Sequence, residues 1–73
     1  MAGLGAKYLV QHDPGTGRWN VYRGGKPTGA FARDQHTAIG AAARDASLEA
    51  RESDLKVTVW LRDGKRARKV WPE

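Results

Sequence analysis

Cysteine is absent from this 73-residue chain, which excludes disulfide staples and thiolate-bound metal and leaves packing as the source of stability. The same absence suits a reducing compartment, so a cytoplasmic location is expected. Long apolar runs are missing too. No stretch approaches the ~18 residues of a membrane span, and no membrane partner is expected. Met1 to Ala6 is Gly/Ala-rich without the apolar centre of a signal peptide and is read as a flexible N-terminus; Ala2 stands where myristoylation requires glycine. Residues 1–73 form one small domain on this reading. A chain this short buries only roughly 60 to 65% of the surface its unfolded form exposes, too little for a deep, dry catalytic cavity.

What is present alternates. Lys7 to His12 has the two-residue period of a strand, with Tyr8, Val10 and His12 on one face. Asp13-Pro14-Gly15-Thr16-Gly17 is turn chemistry, and Arg18 to Arg23 alternates again with Trp19 and Val21 on one side. Gly24-Gly25 suits a two-residue primed turn, and Lys26 to Arg33 follows as a third strand, for which Pro27 implies either an edge position or a late start after the turn.

From Asp34 the period changes to that of a helix over about Gln35 to Arg51, with Ala38, Ile39, Ala42, Ala43, Ala46 and Ala50 on one face and Asp34 as the N-cap. Gly40 costs about 1 kcal/mol against alanine inside a helix, so close approach of the sheet is expected there. Alanines cannot fill a core alone; Trp19 is the expected bulky partner for Ala42 and Ala46. Leu55 to Arg62 returns to alternation, with Val57, Val59 and Leu61 inward and Trp60 outward. A turn at Asp63-Gly64 would set Arg62 opposite Lys65, Trp60 opposite Ala67 and Val57 opposite Val70. Trp71 is read as a lid on the end of the sheet. The fold class is therefore α+β: an antiparallel-dominated sheet of four or five strands with one helix on one face, in the order β-β-β-α-β-β. The helix allows the fourth strand to pair beside the first by a crossover.

The net charge of +5 divides unevenly. Residues 1–33 carry five cations against one carboxylate, residues 34–54 two against five, and residues 55–73 six against two. An acidic helix over one face of a basic sheet leaves the cations on the open face and hairpin tips. Arg18, Asn20, Tyr22, Phe31 and Arg33 are assigned to that face, with Lys56, Trp60, Arg62, Lys65 and Lys69 from the second hairpin. Arg68 joins the candidate site through the basic run Lys65-Arg66-Ala67-Arg68-Lys69, which serves either as a phosphate tether or as protection of an exposed edge. Cations interleaved with rings suit phosphate pairing and base stacking, so DNA or RNA is one expected partner. Outward Trp60 and Tyr22 beside a weak edge strand suit the alternative, a homodimer or another protein.

Catalytic chemistry finds little support. His12 beside Asp13 and His36 near Asp34 resemble metal ligands, but their strand ends lie about 10 Å apart across two strand spacings, and zinc needs four convergent ligands. Neither Ser47 nor Ser53 has a neighbouring base for nucleophilic catalysis. Gly24-Gly25-Lys26 and Gly64-Lys65 lack the upstream glycine of a phosphate-binding loop and open no helix. No enzyme, cofactor or metal is expected.

Taken together, Gly17-Arg18-Trp19-Asn20-Val21, the helix bearing Ala38, Ile39, Ala42 and Ala46, and Arg62-Asp63-Gly64-Lys65 resemble a small bacterial family known as domain of unknown function 2188. The likeness spans Tyr8 to Lys65. Asp34 replaces the threonine usual at that family's helix start, about two residues are added before Leu55, and Trp60-Leu61 is bulkier than the family pattern. The resemblance implies a helix-on-sheet fold and a bacterial cytosolic setting; it implies no activity.

Overall fold

The computed structural model describes residues 5–72. Its elements follow the expected order: β1 (Gly5–Asp13), β2 (Arg18–Arg23), β3 (Lys26–Ala32), α1 (Gln35–Ser53), β4 (Lys56–Asp63) and β5 (Arg66–Trp71). Of the segment expected to be flexible, Met1 to Leu4 lie outside the described residues. Gly5 and Ala6 belong to β1, held in the ladder opposite Lys56 and Val57.

One five-stranded sheet runs in the order β3-β2-β1-β4-β5. β1 is its hub, antiparallel to β2 through Val10 opposite Val21 and parallel to β4 through Val10 opposite Leu61. A parallel pair cannot be closed by a tight turn, and α1 supplies the crossover between the first three strands and β4. The result is an α+β fold, antiparallel except for that one pair.

Local chemistry sets the connections. Asp13 accepts hydrogen bonds from the Gly15 amide at 3.0 Å and the Thr16 hydroxyl at 3.1 Å, shaping the first loop through its own side chain. Gly24 and Gly25 both take positive φ, 59° and 84°, as a primed two-residue turn demands. In β3 a register shift lies opposite Val21. There Gly29 has φ 90°, and Thr28 donates its hydroxyl to the Val21 carbonyl at 3.0 Å while accepting from the Ala30 amide at 3.2 Å. This irregularity and Pro27 mark β3 as the protected edge that proline implied.

The second hairpin turns one residue later than expected. Asp63 pairs with Arg66, so the turn residues are Gly64 and Lys65, and only Gly64 needs positive φ. A glycine at the first turn position followed by an ordinary residue is the other primed solution. Arg62 consequently faces Ala67, and Trp60 faces Lys69. A second shift between Val59 and Trp60 sets Val59 opposite Trp71, and Val57 lies beyond the reach of β5.

Helix α1 starts at Asp34, whose carboxylate accepts from the Thr37 amide at 2.9 Å and hydroxyl at 2.7 Å. These bonds, the hydroxyl first, hold the Asp34 carboxyl below its ordinary pKa. The helix ends where Asp54 turns left-handed at φ 55° and returns its amide to the Ala50 carbonyl at 3.2 Å. Ala38, Ala42 and Ala46 are fully buried against Val10, Val21, Val59 and Leu61, with Tyr8 and Val57 completing the core. Small helix residues let the backbone come down onto branched strand residues, which is how a thin domain reaches close packing.

Two expectations about this interface are corrected. Trp19 is not the central knob: it is half-buried, packed at the margin of the core with its ring 4.7 Å from that of His12, and β-branched residues and Leu61 supply the central bulk. Its position opposite Ala32, the last residue of β3, sets it near the helix start, away from the middle of the alanine ridge. Gly40 is exposed, and a Cβ built there would meet nothing within 4 Å, so no strand approaches it. Its place between Ile39 and Ala41 turns it to solvent, away from Ala38 and Ala42.

Candidate nucleic-acid interface

Helix α1 covers one face of the sheet, and the other is assembled from alternate residues of five strands. Cross-strand pairing builds it in rows. One row runs Pro27, Tyr22, Leu9, Trp60, Lys69; the next runs Phe31, Asn20, Gln11, Arg62, Ala67. The first is a seam of apolar rings and side chains ending in a cation, and the second begins with a ring, passes through two amides and reaches a guanidinium.

The rings and cations are already in contact. The Arg18 guanidinium lies 4.4 Å from the centre of the Phe31 ring, and the Lys7 ammonium lies 4.5 Å from that of Trp60. Trp60 also donates its indole N–H to the Thr58 hydroxyl at 3.1 Å, which fixes the ring on the sheet. Phe31 is 52% exposed, an unusual state for phenylalanine, while Tyr22 and Trp60 are half-buried. Such cation–π contacts contribute about 0.5 to 1 kcal/mol at exposed sites. They hold the rings ordered without covering them with other apolar groups.

The charge on this face is one-sided. Among the described residues, Lys7, Arg18, Lys56, Arg62 and Lys69 share it with a single carboxylate, Asp13, which sits at its end and is engaged by its own loop. Asp45, Glu49 and Glu52 belong to α1. Sequence alternation therefore locates most of the expected residues: Arg18, Asn20, Tyr22, Lys56, Trp60, Arg62 and Lys69 share the open face, joined by Lys7, Leu9 and Gln11, which were not assigned to it. Their alternation in β1 was legible, but only β1 as the hub puts them in the middle of the surface.

Three residues fall elsewhere. Arg33 lies one position past β3, in the exposed bend before Asp34, because the strand ends at Ala32. Lys65 is a turn residue at the hairpin tip. Arg68 is opposite Leu61 and so points to the helix side of the sheet. A run of four cations and one alanine has no apolar period to assign its faces; the turn position decides them.

On the helix side, a polar cluster escaped sequence reading. Tyr8 donates its phenolic hydrogen to Glu49 Oε1 at 2.7 Å, and Arg23 donates to the same carboxylate through Nε at 2.8 Å and through Nη2. Hydrogen bonds from Arg23 and then from Tyr8 pull the Glu49 pKa down to about 2; burial first, then the carboxylate, pushes the Tyr8 hydroxyl up to about 12. Arg23 moves still further from neutrality, mainly through its hydrogen bond to Glu49. This cluster ties helix to sheet and takes the Arg23 charge out of the candidate surface.

His12 stacks on Trp19 and His36 is exposed in the first helical turn; among the described residues no three His, Cys, Asp or Glu side chains gather as a metal site. No helix among them is long and apolar enough to cross a membrane. No family model, curated protein or solved structure matches the chain.

Proposed function

We propose that this protein is a small, non-catalytic module that binds nucleic acid on the open face of its sheet and works in the cytoplasm. The observation that carries the reading is the five-cation face, with one carboxylate at its end among the described residues, interleaved with Phe31, Tyr22 and Trp60. Phosphates meet Lys7, Arg18, Lys56, Arg62 and Lys69, while unpaired bases stack on the rings and the amides of Asn20 and Gln11 reach base edges. The cations now resting on Phe31 and Trp60 swing to phosphate as bases take their place. Rings set across a broad sheet favour single strands over a closed duplex, whose bases are already stacked.

Fluorescence anisotropy with labelled single- and double-stranded oligonucleotides at two salt concentrations tests this. Binding that weakens steeply with salt, prefers single strands and is lost in Lys56→Ala/Arg62→Ala supports the reading. No binding even at low salt overturns it. If sedimentation then shows a dimer at the same protein concentration, the exposed rings belong to self-association instead.

A further inference from the structure

We propose that the free edge of β5 is a docking strand for an extended acidic peptide, added to the sheet as a sixth strand. β5 ends the sheet order, so its outer side has no neighbouring strand. From Arg66 to Lys69 it pairs with β4 in unbroken register and contains neither proline nor glycine, unlike β3 with its Pro27 and the irregularity at Gly29. An open, regular edge is a template for strand addition, and natural edges are usually blunted by proline, bulges or charge. Over Arg66 to Lys69 only charge is used; the irregularity of β5 lies beyond that stretch, at Val70.

That charge selects the partner. Arg66 and Arg68 point to the helix side and Lys69 to the open side, so the edge is cationic on both faces. The one ion pair among the described residues is Arg23 with Glu49; Asp63 stands opposite Arg66 without forming one, and the three cations outnumber it. A second copy of β5 would set cation against cation and is repelled, whereas a strand rich in aspartate and glutamate is attracted. Room exists for it. The packing of α1 stops short of β5, and an open hollow of about 530 Å³ remains there, lined by Gln35, Leu61, Ala67 and one carboxylate, Asp63, together with the two guanidinium groups of Arg66 and Arg68. Side chains of an incoming strand that face the helix enter this hollow, and the half-buried Val70 and Trp71 extend the edge with apolar surface.

This site shares Lys69 with the nucleic-acid face, but Arg66 and Arg68, which distinguish it, lie on the reverse. The probe is a fluorescein-labelled peptide of about eight residues of glutamate, aspartate and valine, long enough for one strand. It is compared with the same peptide N-methylated at alternate amides, which keeps the charge and removes main-chain hydrogen bonding. Saturable binding of the first, at least ~10-fold weaker binding of the second and of the Arg66→Glu/Arg68→Glu protein, and new hydrogen-exchange protection of β5 amides are expected. Equal binding of both peptides overturns the proposal, because charge alone then explains attraction. So does displacement of the peptide by an oligonucleotide with the Lys56→Ala/Arg62→Ala protein unable to bind either, which would merge the edge with the open face. Failure of oligonucleotide binding alone leaves the peptide result standing as its own measurement.

Discussion

Tyr8 and Glu49, forty-one positions apart in the chain, meet in a 2.7 Å hydrogen bond that fastens the hub strand to the penultimate turn of α1. Tyr8 is 5% exposed, so its hydroxyl has little water to turn to. Glu49→Ala leaves it unpaired, and the loss is expected to be about 1 to 3 kcal/mol in urea unfolding. Tyr8→Phe removes donor and need together and should cost less than that.

The same contact gives stability a pH dependence at both ends. The Glu49 pKa is lower folded, about 2, than its ordinary 4.5, so its contribution is full above 4.5 and drains away as pH falls toward 2. Tyr8 is raised from 10 to about 12, so the neutral phenol stabilises the fold below pH 10 and that contribution is lost between 10 and 12. Melting temperatures should fall in both windows, and the acid-side fall should be smaller in Glu49→Gln.

Gly40 offers the opposite result. With solvent around it and no φ constraint, Gly40→Ala restores helix propensity and should stabilise by about 0.5 to 1 kcal/mol. For a domain of this size that is a rise of roughly 2 to 8 °C in Tm, read by calorimetry. A fall would reveal a neighbour that the fold does not show.

Core truncations should rank by burial, not by side-chain size. Leu61 is 2% exposed beneath the helix, and Leu61→Ala is expected to cost about 3 to 5 kcal/mol. Trp19, half-buried at the core margin, should cost about 1 to 3 kcal/mol on truncation to alanine, less than its bulk suggests. Chemical denaturation of the two variants under one condition checks the order.

Much of this architecture is legible because each element carries a clean local signal. Val57, Val59 and Leu61 alternate as a half-buried strand must, Asp34 caps the helix it precedes, and Gly24-Gly25 closes the turn it resembles. Residue spacing fails where the deciding partner is distant. The Glu49 cluster depends on β1 standing in the middle of the sheet, which no window of sequence contains. The face of Arg68 depends on whether the turn uses Asp63-Gly64 or Gly64-Lys65, two primed solutions open to the same glycine. Trp19 was assigned the correct face but the wrong depth, since alternation gives direction and says nothing of position along the helix. For the candidate surface, the strand residues other than Arg68 fall on the open face, whereas Arg33 in the bend and Lys65 at the tip do not, because period has no meaning once a strand ends.

The parallel pairing of β1 with β4 joins residues as far apart as Gly5 and Lys56. During synthesis the hub strand must therefore wait, with one side unsatisfied, until some fifty further residues have left the ribosome. The first hairpin can form early, but the cooperative closure that seals the core waits until β4 has emerged from the tunnel. A ribosome stalled shortly after α1 would hold a nascent chain still open to proteases, and one stalled with β4 fully outside the tunnel would not.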